Sequence, residues 1–205
     1  ISVTYRTSGE IIFKDNTKLE LEDDFSWNGR YYVYGYGKFQ GSRTQLESAI
    51  TLAYDTYGTV VDSNSKLVWK RYRSTQASID GIVPVTSGDS IVNAVAAVSN
   101  YLGADFNAVS YMEQGHTAVE TFDNISGVYG IGLTGITYEK ALSYVGDGSP
   151  VIARIGEDEY IIITAYNSSE IAYIEASTGA QKTVSMTEAG KMFSQGGNIY
   201  VTYYK

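Results

Sequence analysis

The chain has 205 residues, of which 43% are apolar and 19% charged, with 19 tyrosines, 21 glycines and two prolines. This composition predicts a folded, strand-rich protein of one medium or two small domains. A net charge of −8 disfavours nucleic acid and anionic membranes as partners. The absence of cysteine excludes disulfides, thiolate metal sites and cysteine nucleophiles.

No apolar stretch approaches the roughly 20 residues that a membrane-spanning helix needs, so no membrane insertion is expected of this chain. The sequence starts at Ile1 without a recognisable signal peptide, which predicts an excised fragment or a mature ectodomain, placed outside the cell or at its surface. The single histidine, His116, cannot build a histidine-rich metal site, and its polar surroundings predict a loop position. We expect no cofactor and no metal. A calcium site among Asp23, Asp24, Asp147 or Asp158 stays open as an alternative, although nothing in their spacing requires one.

The first 79 residues are predicted to form a small α/β domain. Short alternating stretches indicate strands at residues 1–6, 10–14 and 18–22. The acidic residues at 20–24 fit a solvated sheet edge, because they lack the ordered ligand spacing of an EF-hand calcium loop. The part from 30 to 73 has the pattern β-α-β-β, with strands predicted at 31–36, 59–62 and 67–72.

The helix of this β-α-β-β unit has both a start signal and a stop signal. Thr44 and Glu47 have the spacing of a capping box, in which each side chain accepts a hydrogen bond from an exposed N–H near the helix start. Apolar residues follow at helical spacing, and Gly58 is expected at the C′ position that ends the helix.

Residues 80–205 are predicted to form a second domain, with the boundary near Ile79. Asp89 and Ser90 precede small apolar residues at helical spacing, and Gly103 is expected to end that helix. The remaining predicted elements are one or two short helices within 105–126, a helix over 137–145, a helix through Phe193 that starts at a capping box of Ser185 and Glu188, and a strand at 199–204.

A stretch at residues 150–175 is predicted to form three consecutive antiparallel strands. The strands are expected at 151–155, 160–166 and 171–175, and the middle one is apolar and β-branched enough to be buried on both faces. Glu159 and Glu175 stand at strand ends, where functional side chains are often found. This meander is the expected core of the second domain.

Four short motifs in the second domain resemble the bacteriocin-processing, double-glycine type of papain-like cysteine peptidase. They are DS at 89–90 with NYLG at 100–103, GSPVIA at 148–153, EYIIITAYN at 159–167, and IEASTG at 174–179. The resemblance implies an α+β, papain-like fold for residues 80–205, with the helix at the site packed on an antiparallel sheet. The β-α-β-β unit resembles modules that precede such domains in surface proteins of Gram-positive gut bacteria.

The resemblance assigns functional positions, and this chain departs from the family at each of them. Ser90 stands where the family has its nucleophilic cysteine, Glu159 where it has the basic histidine, and Glu175 where it has the orienting aspartate. The region of the oxyanion-hole glutamine contains Pro84 and Val85. A serine needs an adjacent base, and a carboxylate with an ordinary pKa of about 4.3 is a poor one. Loss of one oxyanion donor raises the barrier by about 3–4 kcal/mol.

These departures favour a pseudo-enzyme that binds or acts as a spacer, with a peptide or a cell-wall glycan as its partner. Tyrosines suit such recognition, because they combine an apolar face with a polar tip. Two alternatives remain open. One is a hydrolase with altered chemistry, in which Ser90 acts with Glu159 or His116, or Glu159 and Glu175 act as a glycosidase pair. The other is an interaction domain unrelated to peptidases.

Overall fold

The computed structural model describes residues 31–71 and 75–205 in full, together with the backbone of three short strands before them. These strands are β1 (Val3–Tyr5), β2 (Ile11–Phe13) and β3 (Lys18–Leu19), which pair antiparallel in that order. They confirm strands within the predicted stretches 1–6, 10–14 and 18–22. The acidic residues at 20–24 lie outside the described residues.

A four-stranded antiparallel sheet with one helix follows. Its elements are β4 (Tyr31–Gly35), β5 (Lys38–Arg43), α1 (Leu46–Asp55), β6 (Thr59–Val61) and β7 (Leu67–Lys70), with the strand order β5-β4-β6-β7. The helix buries Leu46, Ala49, Ile50 and Ala53, as its spacing predicts. The same spacing predicts Tyr57 on the buried face, and this is wrong, because the helix ends at Asp55 and Tyr57 is exposed. The predicted β-α-β-β pattern is wrong in one element, because it lacks β5, whose sequence KFQGSR has no apolar alternation.

Both predicted end signals of α1 are corrected. Gln45 is the N-cap residue and makes no side-chain capping bond, whereas the Glu47 carboxylate accepts the backbone N–H of Thr134 at 3.3 Å. At the other end Tyr57, not Gly58, has the left-handed conformation, with φ of 52°. Gly58 is required for another reason, because a Cβ there would lie 2.0 Å from the carbonyl oxygen of Tyr34.

The rest of the chain forms a seven-stranded antiparallel sheet and five helices. The strands are β8 (Ala77–Ser78), β9 (Tyr129–Thr134), β10 (Val151–Arg154), β11 (Tyr160–Tyr166), β12 (Glu170–Glu175), β13 (Gln181–Ser185) and β14 (Ile199–Tyr204). The helices are α2 (Ser90–Tyr101), α3 (Ala108–Glu113), α4 (Ala118–Asp123), α5 (Tyr138–Gly146) and α6 (Met186–Gln195). The strand order is β13-β12-β11-β10-β14-β9, and β8 pairs with the end of β11.

The predicted meander is confirmed as β10, β11 and β12. Ile162 lies opposite Ile152 on one side and Ile174 on the other, and all three side chains are buried. The central strand is therefore covered on both faces, as its β-branched run predicts. Strands β9 and β13 were not predicted, since one is interrupted by glycines and the other is a polar edge strand.

Most helix ends of the second half follow their signals. Ser185 caps α6 by accepting the N–H of Glu188 at 3.2 Å, and Gly103 ends α2 with φ of 78°. Thr117 and Glu120 form a capping box at the start of α4, in which each side chain accepts a hydrogen bond from the backbone N–H of the other residue. There the Thr117 hydroxyl and backbone hold the Glu120 carboxylate and lower its pKa.

The four-stranded sheet and its helix α1 pack against α5 and β14. The indole N–H of Trp69 donates to the carbonyl of Lys140 at 3.0 Å, and the Lys140 ammonium donates to Thr51 at 3.0 Å. Buried apolar residues of both parts belong to one continuous cluster. The division at residue 79 stays a prediction. Among the described residues no helix combines the length and the apolar composition that crossing a bilayer requires.

Candidate functional site

Ser90 is the first residue of α2, and its side chain fastens that helix to the start of β11. The hydroxyl accepts the backbone N–H of Tyr160 at 2.9 Å and donates to the carbonyl oxygen of the same residue at 3.3 Å. Asp89 is the N-cap residue and makes no side-chain capping bond. The proton of the Ser90 hydroxyl thus points to a peptide carbonyl, which cannot act as a general base.

Asn93, one turn further along α2, completes a polar network that the sequence analysis missed. Its side chain is 2% exposed. The amide nitrogen donates to the carbonyls of Gly88 at 2.7 Å and Ala176 at 3.0 Å, while the amide oxygen accepts the N–H of Gly88 at 2.8 Å. Ala176 also donates to the carbonyl of Tyr160, at 3.1 Å. An asparagine that stands between apolar residues in the first half of the helix was the available signal.

Glu159 lies directly before β11, in the exposed turn that connects it to β10. Its backbone carbonyl accepts the N–H of Ile155 at 2.9 Å, which closes the turn. The carboxylate lies over Gly156, where a Cβ would meet it at 3.2 Å. Ser90 therefore contacts the residue next to Glu159 through that residue's backbone.

Glu175 ends β12 and lies opposite Ile161 of β11. Its carboxylate is engaged within the hairpin of β12 and β13, where it pairs with the Lys182 ammonium and accepts the Thr178 hydroxyl at 2.9 Å. The bond from Lys182, followed by the one from Thr178, lowers the pKa of Glu175. The same pairing raises the pKa of Lys182. Glu175 is thus an anionic partner of a lysine.

His116 lies in the loop between α3 and α4, as its surroundings predict. Its ring stacks on the ring of Tyr111, with the centroids 3.8 Å apart and the planes within 8°. The loop continues into the capping box of Thr117 and Glu120. His116 contacts α3 through Tyr111, whereas Ser90 contacts β11 through Tyr160.

Ser90, Glu159 and Glu175 are brought to one end of the large sheet, where α2 meets β11 and β12. Pro84 lies in the segment before α2 and packs close to Gly179, which would place a Cβ 3.0 Å from it. The side chains do not converge as a reacting set, because the serine bonds to backbone and Glu175 bonds to Lys182. The hydrogen bonds of Ser90 and Asn93 fix α2 on the sheet, and the pairing of Glu175 with Lys182 joins β12 to β13.

Four cavities lined by described residues open elsewhere, and none of them includes Ser90, Glu159 or Glu175 in its lining. The one nearest in the sheet has about 400 Å³ and lies between residues 78–82 and strands β11 to β13. In residues 31–71 and 75–205, no group of three or more histidine, aspartate or glutamate side chains could hold a metal ion.

Comparisons with known proteins agree with the resemblance at the level of the fold. A comparison with protein-family models gave no match, and a comparison with curated proteins gave none either. A crystal structure from Bacillus anthracis, described as that of a candidate C39-like peptidase, superposes with a TM-score of 0.53. The match covers 64% of this chain and 98% of the other, at 11% sequence identity. This chain therefore shares the papain-like fold of a C39-like peptidase, with mixed helices and an antiparallel sheet.

Proposed function

We propose that this chain is a non-catalytic, peptidase-like binding or spacer domain of an extracellular or cell-surface bacterial protein. The observation that carries the proposal is the state of Ser90. Its hydroxyl donates one hydrogen bond to the backbone of Tyr160 and accepts another from it. Ser90 is the residue that the family resemblance places at the nucleophile position.

The energetics of this contact support a structural role. Turning the Ser90 hydroxyl towards a substrate would leave the N–H of the half-buried Tyr160 without this acceptor. Loss of a hydrogen bond of this kind costs about 1 kcal/mol. The hydroxyl would still lack an activating base, since Glu159 is exposed and keeps its carboxylate over Gly156. Both effects oppose nucleophilic catalysis.

The proposed ligand of such a domain is a peptide or a cell-wall glycan, bound at the surface of the large sheet's end where α2 meets β11 and β12. The extracellular setting is part of the proposal and rests on the resemblance of the N-terminal unit to modules of bacterial surface proteins. A domain without bound ligand in this region would serve as a spacer.

An activity assay tests the proposal. The chain and its Ser90→Ala and Glu159→Gln variants are incubated with fluorogenic peptides and with wall glycan fragments. Some of the peptides carry two glycines directly before the bond to be cleaved. We expect no turnover above the level of the variants, and no labelling of Ser90 by a fluorophosphonate, which reacts with activated serines. Turnover that disappears in Ser90→Ala or Glu159→Gln would refute the proposal and favour a hydrolase with altered chemistry.

A further inference from the structure

Two exposed tyrosines beside the four-stranded sheet, Tyr36 in the turn between β4 and β5 and Tyr57 just after α1, have a backbone conformation that bulky residues rarely adopt. Their side chains are 66% and 51% exposed, and their φ angles are 50° and 52°. The two other non-glycine residues with positive φ in the described chain are Ser65 and Asn198, which are small or polar. A bulky side chain in the left-handed region is an outlier that points to a function.

Both positions are ones where glycine or asparagine is the ordinary choice. Tyr36 and Gly37 form the two-residue turn between β4 and β5, and both have positive φ, which is the type I′ turn that favours Asn-Gly. Tyr57 follows the C-cap Thr56 of α1, and Gly58 donates to the carbonyl of Ala53 at 2.7 Å, which is the Schellman motif that favours glycine at C′.

The two rings lie next to each other and form what we call the tyrosine platform. Their centroids are 6.2 Å apart, with the planes inclined by 42°. The Tyr36 hydroxyl donates to the carbonyl of Asp55 at 3.2 Å. The guanidinium of Arg71 lies 3.8 Å from the ring centre of Tyr57 and 4.0 Å from that of Tyr54.

This stack continues into the core. Tyr54 lies 6.4 Å from Trp69, ring centre to ring centre, and Trp69 is 2% exposed and hydrogen-bonded to Lys140. The platform is therefore held in place by a row of cation–π and ring contacts, so binding a ligand would order few additional side chains.

A polar groove adjoins the platform at Asp55. It has a volume of about 420 Å³ and runs along the outer face of α1 towards Ile136. Its polar lining consists of Arg43, Glu47, Ser48, Thr51 and Asp55. Carboxylate, guanidinium and hydroxyl groups in one groove can accept and donate hydrogen bonds to several hydroxyls of one ligand.

We propose that the tyrosine platform and this groove bind an uncharged, β-1,4-linked glycan. A pyranose ring in such a chain presents C–H bonds on its face, which pack on an aromatic ring, and hydroxyls around its edge, which suit the polar groove. The two rings are too small for a stable protein interface, which needs about 800 Å² from each partner. Asp55 and the net charge of −8 disfavour an anionic ligand.

This site is separate from the one in the proposed function, because it involves no residue of α2, β11 or β12. Its test uses binding of β-1,4-linked tetramers of N-acetylglucosamine and of glucose to the full chain, measured by calorimetry and by NMR shifts. We expect saturable binding of at least one of the two. Maltotetraose, whose α-1,4 links curve the chain, is expected to bind at least tenfold more weakly.

Variants of the platform can be chosen to suit the backbone. Tyr36→Asn creates an Asn-Gly type I′ turn, and Tyr57→Gly places glycine at C′, so loss of binding cannot be ascribed to misfolding when the urea midpoint is kept or raised. Each is expected to weaken binding at least tenfold. Tyr101→Ala, at a tyrosine that is 38% exposed on α2, is the matched control and should bind as the parent does.

Three results would overturn the assignment. They are no binding of either tetramer, binding that both platform variants retain, and equal binding of maltotetraose. None of them bears on the absence of catalysis in the proposed function, since that is tested by turnover at Ser90 and not by glycan affinity.

Discussion

Replacing Asn93 by alanine removes the side chain that ties the start of α2 to the end of β12. Three hydrogen bonds are lost, two to Gly88 and one to Ala176. At about 1 kcal/mol for each bond, less about 0.5 kcal/mol gained from the better helix propensity of alanine, the free energy of unfolding should fall by about 2–3 kcal/mol. For a chain of this size, that lowers Tm by roughly 5–10 °C.

Urea and thermal unfolding followed by circular dichroism measure this change. Asn100→Ala is the matched control, because Asn100 is an exposed asparagine of the same helix, and its replacement should change stability by no more than about 0.5 kcal/mol. If Asn93→Ala cost less than about 1 kcal/mol, the three bonds would not hold the helix on the sheet. The interpretation of this region as a structural network would then be wrong.

Two further predictions concern close packing and buried tyrosine. Gly58→Ala should destabilise the protein by about 3 kcal/mol or more, because the new Cβ meets backbone atoms of Tyr34. Gly132→Ala is the control and should be tolerated, because its Cβ would make an ordinary contact at 3.5 Å. Equal urea midpoints for the two variants would contradict this prediction. Burial raises the pKa of Tyr203 to about 12, against about 10 in the unfolded chain, so its contribution to stability is complete below pH 10 and is lost between about pH 10 and 12. That loss amounts to at most about 2.7 kcal/mol. From pH 9 to pH 11 the urea midpoint of Tyr203→Phe should therefore fall less than that of the parent. An equal fall in both proteins would show that Tyr203 does not cause the loss.

The parts of the fold that could be predicted are those in which one segment carries its own signal. The β-branched run through Ile161 and Ile163 predicts a strand buried on both faces, and the small apolar residues after Ser90 predict a helix that packs closely. Strand β13 has no such signal. It is a polar edge strand whose position depends on pairing with β12, and that pairing is decided by the turn between them.

The candidate site shows the same limit. The sequence could place Ser90 at a helix start and Glu159 and Glu175 at strand ends. This correctly predicted that the start of α2 lies near the ends of β11 and β12. It could not predict that the hydroxyl of Ser90 bonds to the backbone of Tyr160, 70 residues away, or that Glu175 pairs with Lys182. Such bonds depend on the distances between elements, and a motif comparison assigns residue types to positions without those distances.

The two sites differ in how their polar and strained groups are used, and this difference supports their separate interpretations. Around Ser90 and Asn93, donors and acceptors meet one another, and the network stabilises the contact between α2 and the sheet. At Tyr36 and Tyr57, unfavourable backbone conformations hold exposed rings in the solvent, at a cost of about 1–3 kcal/mol for each residue. Folding gains from the first arrangement, whereas at the second the Tyr36 hydrogen bond to Asp55, the contact between the two rings and the Arg71 guanidinium over Tyr57 offset only part of the backbone cost. The backbone cost that these contacts leave uncompensated is the reason for the proposal that Tyr36 and Tyr57 recognise a ligand.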